Sequence, residues 1–188
     1  TTRELADLIK MKGINFEDMP SSEPDLPFGE RSSAGKLFGA TGGVMEAAIR
    51  SAHFLLTGKE MGDPKIESLR GFDGIKRATV DIEGLKLNVA VVSGTNNARD
   101  LLEKIRNGEE EIHFMEVMTC HGGCINGGGQ IFDLDKQNVK ERMQALYTID
   151  QKSMVRESHN NPSIKKLYED YLEKPLGHKS HELLHTSY

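Results

Sequence analysis

The sequence predicts an α/β fold: a small mixed β-sheet flanked by helices, followed by a C-terminal helical tail. Three observations carry this. Residues 77–94, RATVDIEGLKLNVAVVSG, hold two β-forming runs on either side of Glu83-Gly84, which reads as a hairpin turn. A helix-patterned segment and a further apolar run follow up to residue 118, giving a strand–helix–strand order. After residue 132 the strand pattern stops and amphipathic helical pieces take over.

The elements follow in order. Thr2 is expected to cap a first helix that carries Leu5, Leu8 and Ile9 on one face and stops near Gly13. Residues 17–35, with three of the six prolines, read as a long irregular segment, and such segments are often functional. The glycine-rich turn 39–43 then opens a helix with Val44, Ala48, Ala52 and Leu55 at helical spacing, and Met45, Phe54 and Leu55 are expected in the core. The run LNVAVVSG is nearly all apolar and predicts a buried central strand. TNNARDLLEKIRNG predicts a helix with a Thr or Asn cap and a Gly stop. The charged NGEEEIH reads as a solvated turn into the strand EIHFMEVM. Three helical pieces make up the tail, split at Asn161-Pro162 and at residues 175–177.

Composition narrows the function. The chain has 188 residues, enough for one domain or one large lobe. Its net charge of −5 speaks against a nucleic-acid backbone as partner, because phosphate binding needs a basic face. No apolar run approaches the ~18 residues of a membrane span, and no secretory signal is visible, so the expected location is cytoplasmic. The chain begins Thr1-Thr2-Arg3, not Met, which is expected of one piece of a larger protein.

The chemistry concentrates in MTCHGGCINGGGQ, residues 118–130, at the end of the last predicted strand. Five of its thirteen residues are glycine, and it holds both cysteines of the chain, Cys120 and Cys124. In an open α/β sheet ligands sit at the carboxyl ends of strands. Thiolates suit iron–sulfur clusters, zinc and copper, and glycine lets the backbone approach such a centre closely. Two buried structural thiols in a turn are the plainer alternative. A cubane or a structural zinc needs about four ligands, so a metal centre here would draw the remainder from elsewhere.

EVMTCHGGCINGGGQ resembles the third cysteine signature of the iron-only ([FeFe]) hydrogenases. TTRELADLIK, FGATGGVMEAAIRSA, RGFDGIKRATVDI, NVAVVSG and SHELLHTSY resemble successive pieces of that family's catalytic domain, in the family's order, over essentially the whole chain. The resemblance implies the C-terminal half of a domain that reversibly reduces protons to H2 at the H-cluster. That cofactor is a [4Fe–4S] cubane joined through one cysteine sulfur to a diiron site with CO, cyanide and a bridging dithiolate. By the same resemblance Cys120 ligates the cubane and Cys124 bridges cubane and diiron site. Met118 and Phe38 match residues that pack on the diiron site. Thr119 and Ile131 depart from the family, which carries Ala and Pro there.

The family's two other cysteine signatures, its proton-transferring cysteine, a cyanide-holding lysine and its acidic proton relay lie upstream of the matching region. The resemblance therefore implies a chain that supplies two cluster cysteines, contains no catalytic acid or base, and is inactive alone. Its implied partners are the upstream half, in the same or a separate chain, a ferredoxin or other redox partner, and the hydrogenase maturation proteins. Residues 1–132 are expected to form the α/β lobe and 133–188 the helical tail. A non-catalytic or sensory hydrogenase-like iron–sulfur protein, and an iron–sulfur assembly relative, are the alternatives.

Two other motifs compete. HELLH, His181 to His185, with His178 nearby, matches the zinc-protease pattern of two His one helical turn apart, but a docking helix is the expected reading. GATGGV before a helix could cradle a phosphate, yet it lacks the Lys-Ser/Thr of a P-loop.

Overall fold

The computed structural model describes residues 1–26, 29–63, 65–131 and 137–186. A three-stranded mixed sheet forms its centre, in the order β1 (Ile75–Ile82), β2 (Leu85–Ser93), β3 (Phe114–Met118). β1 and β2 are antiparallel around the expected Glu83-Gly84 turn, where both residues take positive φ, 49° and 95°. Such a two-residue turn matches the twist of the strands it joins. β2 and β3 are parallel, joined by helix α4 (Thr95–Arg106). The fold class is thus the α/β arrangement expected.

β2 is central and covered on both faces. Val89 and Val91 pack with Met45, Ile49 and Leu69 beneath helix α3 (Gly43–Thr57). Ala90 and Val92 pack with Ala98 and Leu101 of α4. This is why the strand reads as a continuous apolar run and not as an alternating one.

Several local expectations need correcting. The first helix, α1 (Thr2–Met11), is capped by Thr1, not Thr2, in a capping box with Glu4. It buries none of its residues, and Leu5 and Leu8 are exposed. In α3 the buried positions are Gly43, Met45, Glu46, Ala47, Ile49 and Arg50; Val44, Ala48 and Ala52 are half-buried and Leu55 is exposed. The charged face goes inward because Arg50 meets a buried partner, described below. Phe54 is half-buried and stacks on His159, ring centroids 4.3 Å apart. α4 starts at Gly94 without a side-chain cap, and the Asn97 amide donates instead to the Ser93 carbonyl. His113 lies just outside β3, its Nδ1 accepting from the Asn88 N–H.

A short helix α2 (Ser33–Leu37) forms at the end of the segment expected to be irregular. Tertiary bonds anchor it: the Ser33 N–H donates to the Val155 carbonyl and its hydroxyl to Asp150. The C-terminal region contains α5 (Gln137–Lys152), α6 (Pro162–Leu167) with a π-turn at Tyr168–Leu172, and α7 (His178–Leu184). Asn161 caps α6 with Pro162 at its first position. Among the described residues no helix is long and apolar enough to cross a membrane.

α5 is fixed to α3 by a buried ionic cluster. Arg50 donates to both Asp150 oxygens at 2.8 and 2.9 Å and pairs with Glu46. Arg156 and the Ser33 hydroxyl also reach Asp150, and Arg70 holds Glu46 while lying over the Tyr147 ring. Buried charges persist when they are paired and hydrogen-bonded in this way.

Candidate functional site

Two glycine-rich loops meet at the carboxyl ends of β2 and β3. One is the turn 39–43, between α2 and α3. The other is the cysteine loop, which leaves β3 at Met118. The Thr41 N–H donates to the Gly122 carbonyl at 3.1 Å, and the Ile125 N–H to the Gly39 carbonyl at 3.0 Å. The Gly122 N–H donates to the buried Ser93 hydroxyl at 2.8 Å. From the tail, Arg142 donates to the carbonyls of Ile125 and Ile131.

Glycine is required where the loops touch. Gly123 has φ of 99°, and a Cβ there would stand 2.6 Å from the Gly39 carbonyl oxygen and 2.7 Å from the Thr41 nitrogen. A side chain would therefore force the loops apart, in a backbone region that L-residues rarely adopt.

This corner holds the four residues singled out in the sequence. Cys120 is half-buried and Cys124 exposed, and both are free thiols. A Cβ on Gly127 would lie 3.6 Å from Cys120 Sγ and 3.1 Å from the Cys124 carbonyl oxygen, so the Cys120 sulfur and the Cys124 backbone converge on that glycine. Met118 is half-buried at the end of β3, and Phe38 is 45% exposed at the end of α2, one residue before Gly39.

The donor set here is a pair. Among the described residues no group of three or more His, Cys, Asp or Glu side chains is placed to hold a metal ion. The Thr41 hydroxyl is buried with no hydrogen-bond partner among the described residues, one hydrogen bond from the cysteine loop. A buried hydroxyl without a partner, on a turn that bonds the cysteine loop, is consistent with an acceptor supplied by a bound group. The donor chemistry, two thiols, suits a soft metal.

The competing motifs do not assemble sites. The N-terminus of α3 is already filled: the Glu116 carboxylate accepts from the N–H groups of Gly42 at 2.6 Å and Met45 at 2.7 Å. A phosphate would meet that carboxylate first. In α7 the His181 and His185 rings are 4.5 Å apart, but His178 is turned out and 94% exposed.

Sequence reasoning missed Ser93, Lys76 and Glu116. Lys76 and Glu116 share the α3-facing phase of the sheet with Val91, and a charge at a core phase was the available signal.

Known proteins carry the same pattern. The family described as the iron-only hydrogenase large subunit, C-terminal domain, matches residues 1–128, and the iron hydrogenase small subunit family matches residues 136–188. The NADP-reducing hydrogenase subunit HndD of Solidesulfovibrio fructosivorans is 46% identical over all of this chain and 32% of its own length. Iron hydrogenase 1 of Clostridium pasteurianum is 45% identical over all of this chain and 34% of its own. The chain thus spans about a third of the length of these curated relatives. A solved variant of the [FeFe]-hydrogenase HydA1 from Chlamydomonas reinhardtii superposes with a TM-score of 0.76 at 41% identity, over 98% of this chain and 53% of that one. Protein NAR1 of Arabidopsis thaliana is more distant, 31% identical over all of this chain and 41% of its own length.

Proposed function

The chain belongs to the iron-only hydrogenase family, and from that premise we propose that it is the part of a hydrogenase that supplies two cysteines to an H-cluster. The observation that carries this is the corner itself: two thiols on a glycine loop, hydrogen-bonded to a second glycine loop at the carboxyl ends of parallel strands. When bound, the H-cluster supplies the redox chemistry that interconverts two protons and two electrons with H2.

The chain's own residues hold and enclose it. Cys120 and Cys124 would supply the thiolates that hold the cluster. Met118 and Phe38 would supply apolar surface beside the bound group and limit water access to it. The exposure of Phe38 and Cys124 fits surfaces that a further segment covers. Residues 1–132 act as the lobe that carries the loop. Residues 133–188 brace it through Arg142. The remaining cubane cysteines and the acid–base groups come from an upstream half. Electrons come from a ferredoxin or similar carrier, and maturation proteins install the diiron site. Alone, the chain does not turn over H2.

The second reading, an iron–sulfur protein without hydrogenase activity, draws on the likeness to NAR1. The identity of 46% to a hydrogenase subunit against 31% to NAR1 favours the catalytic reading. Anaerobic co-expression of the chain with an upstream half and maturation proteins tests it by native mass spectrometry and infrared spectroscopy. A complex with iron, sulfide, and CO and cyanide stretches is expected, with the lone chain near 20.9 kDa. Iron and sulfide without diatomic bands would select the second reading. A complex without iron would sink both, and H2 from the lone chain would sink the half-site.

A further inference from the structure

Lys76 and Glu116 are charged side chains inside the α3-facing side of the sheet, 5% and 6% exposed. The register sets them in one row, since Lys76 pairs with Val91 and Val91 with Glu116. Paired residues share a face, so both point to the side where the 39–43 turn lies. They grip that turn by opposite polarities. Glu116 accepts from the Gly42 and Met45 N–H groups. Lys76 Nζ donates to the Thr41 carbonyl and to the Gly71 carbonyl, each at 3.1 Å. The gripped turn in turn bonds Gly122 and Ile125, the residues two before and one after Cys124.

Space-filling does not account for this pair. Apolar residues of similar volume fill such a position at lower desolvation cost. Burial pushes the Lys76 ammonium down to about 8, against the pull of Glu116 and Asp73. An ionisable group held at that cost beside a candidate site points to a positional role.

We propose that Lys76 and Glu116 are positioning residues for the metal site: a buried charge clamp on the 39–43 turn that sets where the cysteine loop presents Cys120 and Cys124. The proposal rests on the reading of those cysteines as cluster ligands. Neither clamp residue touches the cluster. The clamp fixes the backbone on which the ligands stand.

The test is amide hydrogen exchange on the cluster-free intact protein, followed by iron content and the cubane reduction potential after reconstitution. Lys76→Met and Glu116→Gln are each expected to speed exchange in residues 39–43 and 119–127 by about tenfold or more, with β2 unchanged within about twofold. Bound iron is expected to fall and the potential to shift. Lys76→Arg keeps the charge and is expected to lie between wild type and Lys76→Met. It also decides the matter if Lys76→Met fails to fold. Loop exchange, iron content and potential all matching wild type in Lys76→Arg and Glu116→Gln would overturn the clamp. So would a uniform loss of protection across the sheet, which marks a purely structural role. Wild-type protein that binds no iron would instead overturn the ligand reading, while the exchange comparison still decides the clamp.

Discussion

Two regions of this molecule bury charge, and they use it differently. Where α3 meets α5, Arg50, Asp150 and Glu46 are almost fully inaccessible and bonded to one another. At the cysteine corner, Lys76 and Glu116 direct their charges to loop backbone, and the two thiols are half-buried at Cys120 and exposed at Cys124. The first region closes on itself and holds the fold. The second sets the backbone of the 39–43 turn against the cysteine loop. Buried charge thus meets opposite charge in one place and loop backbone in the other.

The largest expected effect breaks the first region. Asp150→Ala leaves Arg50 buried beside fewer anions, and removing one partner of a buried pair typically costs about 3–5 kcal/mol. Denaturant unfolding of the intact protein checks this, and a loss below about 1 kcal/mol would mean that the cluster is solvated. Acid titration sharpens the same point. Burial favours the neutral acid, but hydrogen bonds from Arg50, Arg156 and Ser33 outweigh it and hold Asp150 well below its ordinary 3.8. The native state then binds fewer protons than the unfolded state in that range. Its contribution is complete above pH 3.8 and is lost as pH falls through the lower native value.

Lys76 has the opposite window. Its native value of about 8 lies below the ordinary 10.5, so the unfolded state holds the proton longer. Stability should rise with pH between those two values, by up to about 3 kcal/mol. Unfolding curves at pH 7.5 and pH 10 should show this rise in wild type relative to Lys76→Met; equal slopes would exclude it.

Next comes the loop contact. Gly123→Ala places a Cβ against Gly39 and Thr41 at positive φ, and is expected to cost about 1–3 kcal/mol and most of the bound iron. Thermal unfolding with iron analysis reads both. The smallest stability effect belongs to Cys124→Ser. The residue is exposed, so the change should stay within about 0.5 kcal/mol, yet iron binding should collapse. Retained iron with Cys124→Ser would remove that thiol from the ligand set.

Local pattern made part of this legible. The hairpin at Glu83-Gly84, the buried strand β2 and the crossover α4 follow from turn chemistry and apolar phasing within a few residues. The cysteine loop announced itself by composition. The inward face of α3 was legible only in part: Met45 lies in the core as expected, but helical spacing favoured Val44 and Ala48, while Arg50 is buried by Asp150, a hundred residues on. Glu116 and Lys76 were missed for a related reason. Their partners are backbone groups of Gly42, Met45 and Thr41, which side-chain pattern does not name, so a charge at a core phase was the available trace.

Sequence therefore marked most of the elements, the sheet's central strand and the loop that carries both cysteines, since propensity and turn geometry are properties of short segments. Only tertiary structure decided that the 39–43 turn and the cysteine loop lie against each other and that Glu116 occupies the N-terminus of α3. Those outcomes depend on which distant groups satisfy one another's hydrogen bonds and charges, and that is resolved only once the chain is packed.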